Sequence, residues 1–407
     1  MAAITSHLEL PNIVDDVAQG SVPVLAFGCE LTLIGVTRIL GRDKIPLYVV
    51  CDGTDFVRSS RWYSEPPVNV HNLRPDKLTL FLRSLPLKRA VLMPCTDDWL
   101  RAVSSLPDAL ARRFPASIAS PAVIQTMVDK WQFAQLLEQT GTPHPETLLI
   151  SSRHHLESLS EKCFNRKILK PLSSIDFARK HKVKGYLVTK SAEARRISAD
   201  IDFPVMLQDF IPGPPSANVF VEGFVDRNGR TCARLARQRL RMYPPNLGNS
   251  TLSKTVRLTE ITEAVNALDH LLSSAPYRGI FSAEFKYDSR DSHFKMLEIN
   301  ARPWWYVEFA ARCGMDLCRL AYLDALDLPV TPIHDYQVGR RCVLLSNDFH
   351  AYLGARRGDA LSLRSWVRSW SGADGALLAW DDLRPAITCT VSSVKSALNK
   401  RISKYLQ

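Results

Sequence analysis

Residues 281–302, FSAEFKYDSRDSHFKMLEINAR, predict a β-hairpin whose turn is the polar run DSRDS. Side chains alternate between the two faces of a strand, so Glu298, Asn300 and Arg302 project from the same face. A symmetric hairpin places Glu284 directly opposite Glu298. Directly opposed carboxylates repel one another unless a cation lies between them.

Two interpretations of this hairpin follow from its residues. Two carboxylates and an amide oxygen are hard ligands that suit magnesium, an ion that prefers octahedral oxygen coordination and is often shared with substrate phosphates. Alternatively, Glu284, Glu298 and Asn300 are the solvent-facing side of an amphipathic hairpin. The spacing of the residues does not decide between a metal site and a solvated face.

The composition indicates a folded protein. The chain has 407 residues, of which 46% are hydrophobic and 23% are charged, and this length allows roughly two or three domains with cores of their own. A net charge of +11 attracts nucleic acid, anionic membranes and acidic small molecules alike. Nucleic acid is the least favoured of these partners, because no RNA-recognition signature, zinc-finger spacing or long Lys/Arg block is present.

The nine cysteines are scattered along the chain and form no CxxC pair. An odd, dispersed set of thiols is typical of a reduced cytosolic protein rather than of a disulfide framework. The first residues contain no basic region followed by an apolar run, and no stretch approaches about 18 consecutive apolar residues. We therefore expect a cytoplasmic protein.

The first 120 residues predict a small α/β domain. Apolar strands at 22–27 and 46–51 flank a helix at 31–40, and a third strand follows at 89–94. Gly28 lies at the first strand-to-helix turn, but no GxGxxG fingerprint accompanies it. A dinucleotide site is therefore not expected.

An acidic pair, Asp97 and Asp98, follows the strand at 89–94. Ligands of α/β sheets bind beyond the carboxyl ends of the strands, and this position would make the pair a ligand contact. Capping of the next helix is the simpler explanation of the same two residues.

From residue 121 the pattern is first helical and then extended. A helical run at 121–141 contains Lys130, and a strand in KILKPL contains Lys170. In the segment VMLQDFIPGP, another apolar strand ends in a turn formed by Pro212 and Gly213. This turn leaves backbone groups at the strand edge free to pair with a ligand. The plainer interpretations are a solvated lysine and a strand that stops at a proline.

The predicted strand TCARLARQRLRMYPP is rich in arginine. Its arginines are Arg234, Arg237, Arg239 and Arg241. Guanidinium groups in such concentration suit bidentate binding of phosphate or carboxylate. A solvated edge strand that is protected by its charge is the rival explanation.

Beyond about residue 331 the sequence becomes rich in tryptophan and loop-like, and it ends in a predicted basic amphipathic helix. The apolar stripe of this helix consists of Val391, Val394, Leu398, Ile402 and Tyr405. A helix of this kind can lie on an anionic membrane, which would give the protein a peripheral membrane contact. More often its stripe packs on the protein itself.

The order of these features resembles the ATP-grasp superfamily. The elements that carry the resemblance are Lys130 in VDKWQF, Lys170 in KILKP, the segment LQDFIPG, Glu284, and the E-x-N-x-R element from Glu298 to Arg302. The resemblance covers about residues 22–330. Within the superfamily the chain looks most similar to carboxylate-amine ligases grouped with D-aspartate ligase and peptide ligases.

The resemblance implies an α/β fold that is α+β in its ATP-grasp part. Residues 1–120 would form an N-terminal domain that precedes the ATP-grasp module, and residues 121–330 would form the ATP-grasp domain. Its lid would span about residues 145–210, and residues 331–407 would be a C-terminal extension.

The resemblance also implies roles for individual residues. The ATP-binding residues would be Lys130, Lys170, Ser173, Ser174, Gln208, Asp209, Phe210 and Ile211. The metal ligands would be Glu284, Glu298 and Asn300, holding magnesium, with two ions expected and manganese as an alternative. The catalytic residues would be Arg302, Arg241 and Arg239, which stabilise the reacting acyl group or orient phosphate and substrate carboxylate.

Two departures from the family pattern affect these expectations. Many ATP-grasp enzymes have a glycine-rich phosphate loop where this chain has PLSSIDFARKHKVKG, at 171–185, so the chemistry of the lid differs. Asn218 stands where an acidic residue is common after the LQDFIPG segment, which affects recognition of the ribose.

The implied reaction joins a small carboxylate to an amine. ATP would convert the carboxylate to an acyl phosphate, and the amine would then displace phosphate to give an amide, as in an acid–amino acid ligase. A homodimer is the default expectation for assembly. The alternatives are an ATP-grasp enzyme that uses carboxyphosphate and a catalytically silent protein that binds ATP or a membrane surface.

Overall fold

A computed structural model describes residues 22–405 of the chain, except for 52, 54, 72, 173–180, 182 and 356–360. Within these residues the strands form three sheets, and helices pack on each of them. The α/β fold predicted from the sequence is therefore confirmed. The nine cysteines are all free thiols, as their scattered spacing predicts.

The N-terminal part is a three-stranded parallel sheet covered by helices. Its strands are β1 (Val24–Gly28), β2 (Leu47–Cys51) and β3 (Val91–Pro94), in the order β2-β1-β3. Its helices are α1 (Glu30–Arg42), α2 (Asp55–Arg58), α3 (Leu78–Ser84), α4 (Asp97–Ser104) and α5 (Asp108–Arg113). Strands of such a sheet are buried on both faces, which explains uninterrupted apolar runs such as VLAF in β1.

The helical run predicted at 121–141 is helical in the structure, but it is divided into two helices, α6 (Pro121–Val128) and α7 (Lys130–Gln139). Asp129 separates them, and its carboxylate accepts hydrogen bonds from the backbone N–H groups of Trp131 and Gln132. Aspartate is a strong N-cap, and here it starts a new helix. Lys130 consequently lies at the first residue of α7.

A four-stranded antiparallel sheet occupies the range predicted for the lid. Its strands are β4 (Thr147–Ile150), β5 (Lys167–Pro171), β6 (Tyr186–Val188) and β7 (Val205–Asp209), in the order β4-β7-β5-β6. Helices α8 (Arg153–Ser158) and α9 (Ser191–Ser198) share an apolar core with it. Ser173, Ser174 and most of the loop at 171–185 lie outside the described residues.

A seven-stranded sheet contains the predicted hairpin. Its strands are β8 (Asn218–Val225), β9 (Thr231–Tyr243), β10 (Asn249–Val256), β11 (Gly279–Asp288), β12 (His293–Asn300), β13 (Arg341–Val343) and β14 (Asp374–Gly375), in the order β12-β11-β8-β9-β10-β13-β14. The helices that follow its strands are α10 (Thr262–Ser274), α11 (Val307–Arg312) and α12 (Leu317–Ala325).

The two faces of this large sheet differ in chemistry. One face presents Val221, Phe281 and Phe285 to an apolar core that includes residues of α6, α7 and α10. Because side chains alternate along a strand, the opposite face carries the intervening residues of β11, such as Glu284. The polar residues predicted for the hairpin therefore lie on the face away from that core.

The C-terminal extension is part of this large sheet, because β13 and β14 form its edge. The remaining helices are α13 (Leu345–Ala355), α14 (Leu363–Arg368) and α15 (Arg384–Tyr405). The extension also contacts the N-terminal part, since Asp382 accepts hydrogen bonds from Arg38 Nε at 3.0 Å and from Ser60 Oγ at 2.8 Å. Side-chain contacts therefore join the two ends of the described chain.

The apolar stripe predicted for the last helix is described only at Val391, which is 47% exposed. The other side chains of the stripe lie outside the described side chains. Nothing in the described part of α15 favours membrane contact over packing on the protein. Among the described helices, none combines the length and the hydropathy needed to cross a bilayer.

Asp348 of α13 joins the extension to the large sheet. Its buried carboxylate accepts hydrogen bonds from Arg241 Nε and Nη2, at 2.9 and 2.7 Å, and from Thr251 Oγ1 at 2.7 Å. The indole N–H groups of Trp366 and Trp370 also donate to it. Burial by itself raises the pKa of Asp348, but these hydrogen bonds outweigh it and hold the pKa below its ordinary value.

Replacing Asp348 with Asn is expected to lower the free energy of unfolding by about 3–5 kcal/mol, because the partly buried Arg241 would lose its counter-charge. Urea denaturation followed by tryptophan fluorescence measures the effect. The matched control is Asp327→Asn, whose carboxylate pairs with Arg227 but is 73% exposed, and which should cost no more than about 1 kcal/mol. Equal losses in the two variants would contradict the role assigned to Asp348.

Candidate active site

A cavity of about 320 Å³ is lined by residues of the four-stranded sheet, the large sheet, α6, α7 and the first residue of α4. It brings together most of the site residues predicted from the sequence. Those that line it are Lys130, Lys170, Gln208, Asp209, Phe210, Ile211, Arg239, Glu284, Glu298, Asn300 and Arg302. Segments that are far apart in the sequence therefore meet at one place.

The acidic end of the cavity is the hairpin of β11 and β12. The strand register pairs Glu284 with Glu298, as the symmetric hairpin predicts, and a bulge follows because Phe285 pairs with Met296. Glu284 Oε1 accepts a hydrogen bond from Asn218 Nδ2 at 2.7 Å and lies 3.0 Å from Arg239 Nη2. These contacts fix the Glu284 carboxylate and offset its repulsion with Glu298.

The oxygen donors of this hairpin fit a magnesium ion. Glu284, Glu298 and Asn300 offer two carboxylates and an amide, and Mg²⁺ usually binds one or two carboxylates and completes its shell with phosphate oxygens and water. The described residues contain no cluster of three or more His, Cys, Asp or Glu side chains that could hold a metal ion. The hairpin site is of a different kind, because it has two carboxylates and an amide.

Two lysines from different elements face the same cavity. Lys130 begins α7 and Lys170 lies on β5, where its Nζ donates a hydrogen bond to Gln208 Oε1 at 2.7 Å. Burial, followed by repulsion from Lys170, lowers the pKa of Lys130 to about 8. Burial also lowers the pKa of Lys170. Two partly buried ammonium groups that repel one another favour a polyanionic ligand.

The segment from Gln208 to Ile211 forms the wall beside these lysines. Gln208 Nε2 donates to Thr147 Oγ1 at 2.9 Å, which fixes the orientation of the side-chain amide. The backbone N–H groups of Asp209 and Phe210 donate to Glu146 O and Arg166 O, at 2.9 and 2.8 Å. A ligand at this wall must therefore use other polar atoms of the segment or break these bonds.

The sequence allowed two roles for Asp97 and Asp98, helix capping and ligand contact. In the structure the two side chains have different surroundings. The helix cap is the preceding residue, Thr96, whose side chain accepts a hydrogen bond from Trp99 N–H. Asp97 lines the cavity and accepts a hydrogen bond from Arg302 Nε at 2.6 Å. Asp98 does not line the cavity, and half of its side chain is exposed.

The four arginines of β9 have different partners. Arg239 alone among them lines the cavity. Arg237 is buried against Glu222, with Nη2 to Oε1 at 2.6 Å, and Arg234 pairs with Asp269. Arg241, predicted to be catalytic, lies outside the cavity lining and is held by Asp348. Its hydrogen bonds connect β9 to the C-terminal extension, which residue type and strand position could not indicate.

The cavity also contains residues that were not predicted from the sequence as site residues. Lys286 lies on the same face of β11 as Glu284, and its Nζ is 5.1 Å from the centre of the Phe210 ring. Strand alternation from Glu284 could have identified it. Lys184 donates to Asn249 Oδ1 at 2.6 Å. The turn at 246–248 also lines the cavity, and its sequence carries no motif.

Two curated proteins match the chain in sequence. The D-aspartate ligase of Enterococcus faecium (strain Aus0004) is 24% identical over 252 residues, which are 58% of this chain and 59% of that protein. The multifunctional protein URA2 of Saccharomyces cerevisiae is 22% identical over 217 residues, 52% of this chain and 10% of that protein. The chain thus matches less than two thirds of the length of either relative. No family model matches it.

Solved structures share the fold. The L-amino acid ligase from Bacillus licheniformis superposes with a TM-score of 0.58 at 14% identity, covering 79% of each chain. A carboxyaminoimidazole ribonucleotide synthase from Aspergillus clavatus, complexed with ATP, gives a TM-score of 0.59 at 13% identity, covering 79% of this chain and 80% of that one. At these identities the likeness establishes the fold, and it confirms the architecture predicted from the sequence.

Proposed function

We propose that this chain, which has the ATP-grasp fold, is an ATP-dependent carboxylate-amine ligase that forms an amide or peptide bond through an acyl phosphate. The observation that carries the proposal is the single cavity in which Lys130, Lys170, Glu284, Glu298 and Arg302 converge. The sequence match to D-aspartate ligase supports an amino acid or a small peptide as one substrate.

The nucleotide would lie along the cavity from the segment at 208–211 to the hairpin. Phe210 and Ile211 offer apolar surface to the adenine, and Gln208, held by Thr147 and Lys170, offers a fixed amide to its edge. Lys130 and Lys170 would hold the phosphates, because two partly buried cations gain most from a polyanion that relieves their repulsion.

Glu284, Glu298 and Asn300 would hold magnesium, which would neutralise charge on the phosphates during phosphoryl transfer. The hydrogen bond from Asn218 and the ion pair with Arg239 keep the Glu284 carboxylate turned toward this position. Asn218 thus supports the hairpin where many relatives of this fold carry an acidic residue.

The reaction would proceed in two displacements. An oxygen of the substrate carboxylate attacks the γ-phosphorus of ATP, and ADP leaves. The amine nitrogen then attacks the acyl carbon, loses a proton and expels inorganic phosphate, which gives the amide. Arg302 would stabilise the negative charge that develops on the acyl oxygen, because its guanidinium is fixed in place and only 17% exposed.

The proposal is tested by a phosphate-release screen that pairs amino acids and small acids with amines, followed by mass measurement of the product. We expect release that requires both a carboxylate and an amine, and a product mass equal to their sum minus water. Bicarbonate is included as a carboxylate donor to test the carboxyphosphate alternative. Release that is independent of the amine, or no adduct with any pair, would count against the ligase.

The affinity for nucleotide is expected to fall as the pH rises through about 8. Lys130, whose pKa is about 8 in the free protein, binds phosphate as the ammonium form. Below about pH 8 the Lys130 amine is already protonated and charged. Above this pH, binding of nucleotide requires uptake of a proton by Lys130, which lowers the affinity by up to about tenfold per pH unit. Calorimetric titration with a non-hydrolysable ATP analogue between pH 7.5 and 9.5 measures the slope and the proton uptake.

The control for this pH dependence is Lys130→Arg, which keeps the charge over the whole range. In this variant the affinity for nucleotide should fall less steeply with pH. The remaining pH dependence would come from Lys170, because burial also lowers the pKa of that residue. A wild-type affinity that does not change across this range would show that Lys130 does not contact the phosphates.

A further inference from the structure

The side chain of Arg302 reaches from the end of the hairpin to the N-terminal part of the chain. Its Nε donates to Asp97 Oδ1 at 2.6 Å, and its Nη1 donates to Pro303 O at 3.0 Å. Two acceptors in different directions fix the plane of a guanidinium group, whose donors have a rigid geometry. One of these acceptors belongs to α4, outside the ATP-grasp part.

We propose that Asp97 is a positioning residue that holds the Arg302 guanidinium toward the acyl group, so that the N-terminal part completes the active site. The inference rests on the proposed function, because it assigns Asp97 to the residue that would stabilise the reacting acyl oxygen. It goes further than that function, since Asp97 lies in a segment separate from the lysines, the hairpin and the segment at 208–211.

The position of Asp97 argues against a purely local role. It is not the cap of α4, because Thr96 makes the capping hydrogen bond. It lines the cavity, whereas the adjacent Asp98 lies 3.9 Å from Arg101 at the surface. The same helical turn thus presents one carboxylate to the cavity and one to solvent.

The charges around Asp97 explain why a carboxylate is required there. Burial raises the pKa of Asp97, but the charge and the hydrogen bond of Arg302, together with the charges of Arg101 and Lys130, outweigh burial and hold this pKa below its ordinary value. Asp97 is therefore an anion at neutral pH. It is the carboxylate that hydrogen-bonds Arg302, while Glu298 also acts on Arg302 through its charge.

Asp97→Asn keeps the size of the side chain and removes the charge. We expect kcat to fall by about tenfold to hundredfold, the usual cost when a group that orients a catalytic residue is lost, while KM for ATP stays within about twofold. Asp97→Glu retains the charge and should recover part of kcat. The matched control Asp98→Asn should leave both constants unchanged.

A double-mutant cycle separates positioning from a general structural effect. If Asp97 acts through Arg302, Asp97→Asn should cost little more once Arg302→Lys is present, because the group it positions has gone. Additive losses in the cycle, or a drop in kcat for Asp98→Asn as large as for Asp97→Asn, would overturn the proposal. Thermal melting of each variant checks that it is folded.

A second readout does not depend on ligation. The rate at which phenylglyoxal modifies Arg302, measured by peptide mass mapping, should rise in Asp97→Asn and remain at the wild-type value in Asp98→Asn. An unchanged rate in Asp97→Asn would overturn the positioning role even if ligation is found. A raised rate in a protein that forms no amide would instead retain the positioning role and reject the proposed function.

Discussion

Replacing Glu298 with Gln is expected to lower the rate of ADP formation by about 10²- to 10³-fold. The change removes one of two facing carboxylates, and the other, Glu284, is already engaged by Asn218 and Arg239. A magnesium ion held by the hairpin would then lose a ligand, and the charge stabilisation that it would supply to phosphoryl transfer is about several kcal/mol.

Steady-state ADP formation, measured at increasing magnesium concentration, tests this expectation. The variant should also need more magnesium for half-maximal rate, which distinguishes loss of a ligand from loss of a general acid or base. Glu263→Gln is the matched control, because Glu263 is a partly exposed glutamate that pairs with His293 and does not line the cavity. Full activity of Glu298→Gln across the substrate panel would contradict the assignment of the protein as a ligase.

Replacing Arg302 with Ala is expected to reduce kcat for ligation by about 10²- to 10³-fold, the cost of losing one preorganised donor to a developing oxyanion. KM for ATP should change little, because Lys130 and Lys170 are the residues proposed to bind the phosphates. Arg302→Lys should recover only part of the loss, since an ammonium cannot reproduce the fixed geometry of the guanidinium.

Initial rates of amide formation and of ADP formation, measured side by side, complete this test. If Arg302 acts on the acyl group, amide formation should fall at least as far as ADP formation, with ATP consumption partly uncoupled. Arg257→Ala is a suitable control, since the Arg257 side chain is 71% exposed and its guanidinium lies 4.0 Å from the Glu260 carboxylate. An Arg302→Ala variant that retains wild-type kcat would remove Arg302 from the reaction.

Local rules account for much of the fold. Continuous apolar runs predict the buried parallel strands, and the confirmed positions of β1, β2 and β3 follow from them. The same rules failed at Asp129, because residue type does not distinguish an aspartate that caps a new helix from one on the surface of a continuous helix. The error matters, since it hid the position of Lys130 at a helix start.

Some site residues could likewise be predicted from the sequence, whereas others could be distinguished only by their tertiary contacts. Glu284 and Glu298 could be paired from the sequence, because a short turn sets the register of a hairpin and alternation sets the face. Arg239 and Arg241 could not be separated, although they lie on one strand with the same chemistry. Only their partners distinguish them, and Asp348, the partner of Arg241, comes from a segment more than a hundred positions away.

By itself, the sequence determined the α/β class, the facing carboxylates of the hairpin, and the order of the lysines, the segment at 208–211 and the hairpin, which indicates an ATP-grasp fold. Tertiary structure alone decided that these elements line one cavity, that Arg241 supports the C-terminal extension, and that Asp97 contacts Arg302. The physical reason is that strand alternation and turns act over a few residues. The partner of a charged side chain is set by how distant segments pack.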